Sequence, residues 1–195
     1  MIRVLKVLKK ISIYSYINLT SFIRLYKLRI KFLNSYIASK VHIVYEDINL
    51  IHLSKGTSIE NFTTLCVVNY DIKSNNSYFE LGENSTIGAL SNIRASGGKI
   101  IIGKNCLIAQ NVSMIAAGHG IKKSDLIVNQ PWGNDKIDIV LHDDVWVGAN
   151  SVILPGVEIM KGAIIGAGSV VTKNVDEYSI VTGIPAKHLR YRVDD

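Results

Sequence analysis

From Leu141 onward one aliphatic side chain recurs every six positions: Leu141, Val147, Ile153, Ile159, Ile165 and Val171. Four residues after each stands a small or short-branched one: Val145, Ser151, Val157, Ala163, Ser169 and Val175. The same register runs through Leu81, Ile87 and Ile93, slips by three residues, and resumes at Ile102, Ile108 and Met114. Weaker traces begin near Ile48, Leu53, Ile59 and Leu65. A period of six fits neither a 3.6-residue helix nor a two-residue alternation. It fits a short strand plus a corner, repeated three times around each turn of a triangular coil. The aliphatic residue points into the prism, and the small one fills the tight space near a corner. Stacked turns pair their strands in parallel and share one core, so no turn is stable alone. The pattern predicts an all-β solenoid over residues 42–176, with about six or seven turns.

Two stretches break the period. Residues 67–79 are polar and turn-rich, which predicts a small excursion. Residues 116–138 are longer and hold Gly118-His119-Gly120 and Pro131-Trp132-Gly133. Structureless loops beyond about 12–15 residues are uncommon unless they are functional or disordered, and this one has the punctuation of a built loop. Residues 177–195 form a C-terminal extension. The first 41 residues read differently again. Val4, Leu8 and Ile11 recur at helical intervals among Arg3, Lys6, Lys9 and Lys10, and the stretch Phe22–Leu33 mixes Arg24, Lys27, Arg29 and Lys31 with apolar side chains. One or two basic amphipathic helices are expected, either capping the coil or lying on an anionic membrane surface.

Composition sharpens this division. The 195 residues are 48% hydrophobic, which suits a sizeable core and rules out a disordered chain. The net charge is +6. Residues 1–40 hold nine Lys/Arg and no acidic residue, so the remaining 155 positions carry thirteen basic against sixteen acidic side chains. A body of net charge −3 argues against nucleic acid as a partner, because that needs a basic patch on the folded domain. Cys66 and Cys106 have no CxxC spacing and are expected as buried free thiols. The longest uncharged N-terminal run, Ile11 to Ile23, falls short of the roughly 18–20 apolar residues that span a bilayer. No small-x-small cleavage site follows it, so a signal peptide is not expected. There is no P-loop and no dinucleotide fingerprint.

Residues 141–188 resemble the C-terminal coils of the hexapeptide-repeat acyltransferases. Among these they are most like the sugar acetyltransferases of bacterial surface-polysaccharide synthesis, with galactoside and maltose acetyltransferases as relatives. Asp144-Val145-Trp146-Val147-Gly148-Ala149, Gly166-Ala167-Gly168-Ser169-Val170-Val171-Thr172-Lys173 and Gly183-Ile184-Pro185-Ala186-Lys187 carry the resemblance. It implies a left-handed parallel β-helix, a hand that the period does not set and that breaks the usual crossover rule. It also implies a homotrimer with shared sites and acetyl-CoA as co-substrate. A cytoplasmic enzyme is expected, and the basic N-terminal segment, residues 1–40, is the part that would give it peripheral contact at the inner membrane face.

Acetyl transfer to a hydroxyl needs a base for the acceptor proton and donors for the developing oxyanion. Of five histidines, only His119 lies in the long loop, flanked by glycines that permit close approach of substrate, and its position matches the family's catalytic histidine. His142, beside Asp143 and Asp144, reads as a solvated corner residue. Asp125, Asp135 and Asp138 are the loop's candidates for orienting His119, alongside a neighbouring subunit or a backbone carbonyl. The resemblance places Asn92 against the saccharide acceptor; Trp132 is expected to line the same cleft. It runs acetyl-CoA along the small residues Gly148, Ala149, Gly166 and Ala167, with Trp146 facing outward beside it. Thr172 and Lys173 match positions near the nucleotide end, where Lys187 and Arg190 also stand ready to neutralise phosphate. The demand of the coil itself for small corner residues is the competing reading of these positions. No metal is expected: after His119 the next histidine is 23 residues on, unlike the closely spaced zinc histidines of the carbonic anhydrases that share this coil.

The reading is an acetyl-CoA-dependent O-acetyltransferase acting on a sugar of a capsule, O-antigen or related glycan. Two alternatives stand beside it. One is N-acetylation of a nucleotide-linked amino sugar, which in many such enzymes involves an extra N-terminal domain larger than 40 residues. The other is a non-catalytic trimeric scaffold docked on a membrane.

Overall fold

The computed structural model describes residues 19–69, 76–131 and 137–193. Among them the chain winds as a three-sided prism of parallel strands. The first face stacks Tyr36–Ile37, Ser58–Ile59, Thr86–Ile87, Leu107–Ile108, Trp146–Val147, Ile164–Ile165 and Ser179–Gly183. The second stacks His42–Tyr45, Thr64–Val67, Asn92–Ala95, Ser113–Ala116, Val152–Ile153 and Val170–Val171. The third stacks Ile51–Leu53, Tyr78–Leu81, Lys99–Ile102, Ile139–Leu141 and Glu158–Ile159.

The six-residue period sets this register directly. Val147 lies over Ile165 on the first face, Ile153 over Val171 on the second and Leu141 over Ile159 on the third. Each of these side chains is at most 1% exposed. The small positions are buried as well, and many are hydroxyls that satisfy corner backbone. Ser85 Oγ donates to the Gly103 carbonyl at 2.7 Å and accepts from the Cys106 amide at 2.9 Å. Ser151 Oγ and Ser169 Oγ both donate to the Gly166 carbonyl. A buried corner would otherwise strand polar backbone groups at a cost of about 1–3 kcal/mol each. Both cysteines are buried free thiols. Burial pushes the Cys106 thiol up, and its Sγ donates to the His142 carbonyl at 3.1 Å.

The coil extends past both boundaries expected from the sequence, 42 and 176. Tyr36–Ile37 already pairs with Ser58–Ile59, and Ile180 and Val181 continue the first face beyond Ile164 and Ile165. Two-residue strands are too short for a period to reveal them singly. At the early end, Ile48 is not an inward strand residue but begins a 3-10 turn, Ile48–Leu50.

Each end of the prism is covered. A helix occupies residues 19–31 and inserts Leu25, Leu28 and, just beyond, Phe32 into the core. At the other end Ala186–Tyr191 folds back antiparallel on Ser179–Gly183. Arg192 fastens this hairpin to a corner, donating to Asp144 at 2.7 Å and to the Gly162 carbonyl at 3.1 Å. No helix among the described residues is long and apolar enough to cross a membrane.

Candidate active site

The prism has three edges, and two of them differ sharply. At the edge from first to second face, turns are short and repeat in register. Phe62, Leu90, Asn111, Asn150 and Gly168 all take positive φ there, and each amide bonds to a carbonyl of the turn before it. At the edge from second to third face, the chain leaves the coil in both long excursions, after Val67 and after Ala116. Ser77 ties the first excursion down: its Oγ donates to the Val68 carbonyl and accepts from the Gly97 amide, both at 2.7 Å. The second returns at Ile137, whose side chain lies so close to Gly98 that a Cβ there would meet it at 2.7 Å.

His119 stands three residues past the end of Ser113–Ala116, half-buried, with its Nδ1 screened from solvent. The two flanking glycines do different work. A Cβ on Gly118 would enter open space, so that side is free for a substrate. A Cβ on Gly120 would meet the Gln130 side chain at 2.6 Å, so Gly120 serves the loop's own packing, not substrate approach as the sequence suggested.

Gln130 is the residue that sequence reasoning missed. It is 5% exposed in a stretch, residues 121–131, whose other residues are all exposed. Its Oε1 accepts from the Lys122 amide at 2.7 Å, and its Nε2 donates to the carbonyls of Lys122 at 2.9 Å and Asp125 at 3.0 Å. The Gly120 amide donates to the Pro131 carbonyl at 3.1 Å. Together these bonds close residues 120–131 into a ring next to His119. Nothing in the local sequence marks a glutamine for burial; only the closed loop does.

Two of the acidic candidates do other work. Asp125 is exposed and accepts from the Leu126 amide at 2.8 Å, ahead of the 3-10 turn Ile127–Asn129. Asp138 accepts from the Lys99 amide at 2.8 Å, on the third face. Asp135 and Trp132 lie outside the described residues. Asn92 is on the second face, paired with Ser113 on the strand that leads to His119, and it is half-exposed rather than stacked inside the coil. Lys173 and Thr172 are exposed at the same edge, just after Val170–Val171. Lys173 also lines a cavity of about 220 Å³ with His188 and Tyr191 of the hairpin. His142 is not merely solvated: its Nε2 lies 2.8 Å from Glu158 of the next turn.

The remaining positions lie elsewhere. Gly148, Ala149, Gly166 and Ala167 are on the regular edge. Gly148 is pressed on the next turn, where a Cβ would meet the Ala167 amide at 2.6 Å; a Cβ on Gly166 would meet the Thr182 side chain, its Oγ1 at 2.8 Å. The coil backbone therefore demands Gly148, and Gly166 is crowded by one side chain, while Ala149 and Ala167 are partly or fully open. Trp146 is 50% exposed on the first face, in a shallow hollow with Leu107, Ile164 and Arg192. Lys187 and Arg190 are exposed on the outer hairpin strand. Within one chain, then, His119, Thr172 and Lys173 share the far edge of the second face, while Asn92 opens that face at its other end, on the side of the ridge. The small-residue ridge is separated from His119 by that face, which is four residues or about 13 Å wide. Among the described residues no three His, Cys, Asp or Glu side chains converge as metal ligands would.

Comparison with known proteins follows the same division. Residues 138–173 match the bacterial transferase hexapeptide family (six repeats). A probable macrolide acetyltransferase of Lysinibacillus sphaericus is 41% identical over 115 residues, covering 51% of this chain and 63% of that protein. The galactoside O-acetyltransferase of Escherichia coli is 34% identical over 122 residues, covering 58% and 57%. The chain spans less than two thirds of the length of either relative. Among solved structures, a variant of AntD, an N-acyltransferase from Bacillus cereus in complex with dTDP-4-amino-4,6-dideoxyglucose and coenzyme A, superposes with a TM-score of 0.69 at 22% identity, covering 83% of this chain and 82% of that one. The hexapeptide-repeat-containing acetyltransferase VCA0836 of Vibrio cholerae superposes at 0.55 with 25% identity, covering 74% and 73%. The fold is the left-handed parallel β-helix.

Proposed function

We propose that this chain, whose coil is that of the hexapeptide-repeat acyltransferases, moves an acetyl group from acetyl-CoA to a hydroxyl of a sugar in a bacterial surface polysaccharide. The observation that carries the reading is the position of His119. It sits in a closed loop on the edge where Gly118 leaves room for a substrate. His119 takes the proton of the acceptor hydroxyl as the oxygen attacks the thioester carbon. A backbone N–H holds the oxyanion, the C–S bond breaks, and the imidazolium returns the proton to the departing thiolate of CoA. Asn92 positions the acceptor, with Trp132 lining the cleft. Ala149, Ala167 and the exposed Trp146 line the path of the donor's pantetheine arm, and Lys173, Lys187 and Arg190 meet its phosphates.

The separation of ridge and loop in one chain supports a homotrimer, in which the ridge of one copy stands beside the His119 edge of the next. A hydroxyl acceptor is favoured over an amine by the 34% identity to a galactoside O-acetyltransferase, against a 22% likeness in fold to an amino-sugar N-acyltransferase.

The test is release of free CoA thiol from acetyl-CoA with saccharide acceptors and, separately, with nucleotide-linked amino sugars. Turnover with saccharides alone is expected, and His119→Ala should lower it by about 10²–10⁴-fold with the melting temperature unchanged. Turnover with amino sugars alone would move the reading to N-acylation. No thiol release together with no CoA binding by calorimetry would leave a scaffold.

A further inference from the structure

We propose that the outer face of the N-terminal helix docks on an anionic lipid surface. This goes beyond the acyl-transfer reading and does not depend on it. The helix at residues 19–31 has two apolar stripes where a capping helix needs one. Leu25, Leu28 and Phe32 point into the coil and are 6%, 0% and 9% exposed. At about 100° per residue, Phe22, Tyr26, Ile30 and Leu33 form a second face turned by roughly 120° from the first. They are 66%, 59%, 54% and 82% exposed, and the rings of Phe22 and Tyr26 stack on each other with centroids 6.5 Å apart.

Charge selects the occupant of this stripe. Lys27 is exposed on one flank, Arg29 on the other turns inward to donate to the Ile37 carbonyl, and no acidic residue occurs in the sequence before Glu46. An apolar stripe beside an exposed cation, in a segment free of acidic residues, suits a helix lying in an anionic lipid interface, where aromatic and aliphatic side chains enter the acyl boundary and the cation meets headgroups. A second copy of the chain would bring the same positive face against this one and be repelled.

The experiment is co-sedimentation of the full chain with vesicles of phosphatidylcholine alone and of phosphatidylcholine with phosphatidylglycerol, at low and high salt. Binding is expected only with phosphatidylglycerol, and weaker at high salt. The double variant F22S/I30S should bind at least about tenfold more weakly, since two of the side chains that would enter the acyl boundary become polar. Its melting temperature should not fall, because both side chains are already in water. No binding to either vesicle, equal binding to both, or undiminished binding of the variant would overturn the proposal. So would a smaller assembly for F22S/I30S in sedimentation equilibrium, which would assign the stripe to contact between copies.

Discussion

The regular edge and the edge that bears His119 come from the same repeat yet are held together by opposite means. On the regular edge every turn leans on the one beneath it. Amide-to-carbonyl bonds of 2.8–3.1 Å link Phe62 to Lys40, Leu90 to Asn61, Asn111 to Ala89 and Asn150 to Gln110. No single side chain is responsible, and the chain has no freedom to depart from the coil. On the other edge the excursions are held by individual side chains, Ser77 for one and Gln130 for the other. A solenoid can carry chemistry only where it stops repeating, and it then needs a dedicated fastening for each departure.

Three substitutions probe that contrast. Gly148→Val is the most severe. Its Cβ would stand 2.6 Å from the Ala167 amide and 2.8 Å from the Ile165 carbonyl, both backbone, so two turns must part. A loss of about 3 kcal/mol or more is expected, read as a large fall in the denaturant midpoint. An unchanged midpoint would show that the regular edge is looser than its bonds suggest.

Gln130→Leu comes next. Removing the amide takes away all three hydrogen bonds to the Lys122 and Asp125 backbone, for about 1–2 kcal/mol within the loop. Because the coil does not rest on the loop, the midpoint should move little. The kcat of the acetyl-transfer assay should fall about tenfold or more through misplacement of His119. Equal kcat would break the claim that one side chain holds the loop.

Leu90→Asn is the mildest and has the opposite sign. Leu90 sits at φ +63° and is 58% exposed, in a left-handed conformation that costs a branched residue about 1–2 kcal/mol and asparagine less. A gain of about 1 kcal/mol is expected, seen as a higher melting temperature. A lower one would mean that a neighbouring copy covers Leu90.

The same contrast explains what the sequence disclosed. Inward positions such as Ile153 and Val171 were legible because every turn repeats the same environment. The corner serines were legible as small residues, though not as hydrogen-bond donors. The hand of the coil was not, since six residues per face fit either hand. The coil's outer limits were hidden because Tyr36–Ile37 and Ile180–Val181 are too brief to show a period. His119 stood out by its glycines and its loop. The division of labour between Gly118 and Gly120, and the burial of Gln130, depend on a closed loop that no local pattern encodes. Likewise, the periodicity of Val4, Leu8 and Ile11 lies outside the described residues, and the stretch Phe22–Leu33 read only as a mixture of basic and apolar side chains; which of them meet the core emerged only with Leu25, Leu28 and Phe32 in place.

The covered ends of the prism have a consequence for the fate of the chain at high concentration. A stack of parallel strands is a template at both ends, able to recruit further strands into a growing fibre. Here one end is blocked by a helix, which offers no strand to pair with. On the first face of the other end, the last strand reverses direction and carries Lys187 and Arg190 on its exposed rim. A further parallel turn finds no matching direction there, and cationic edges repel their like. The two caps thus act as stop signals for growth, keeping a shape that could lengthen indefinitely at a fixed length.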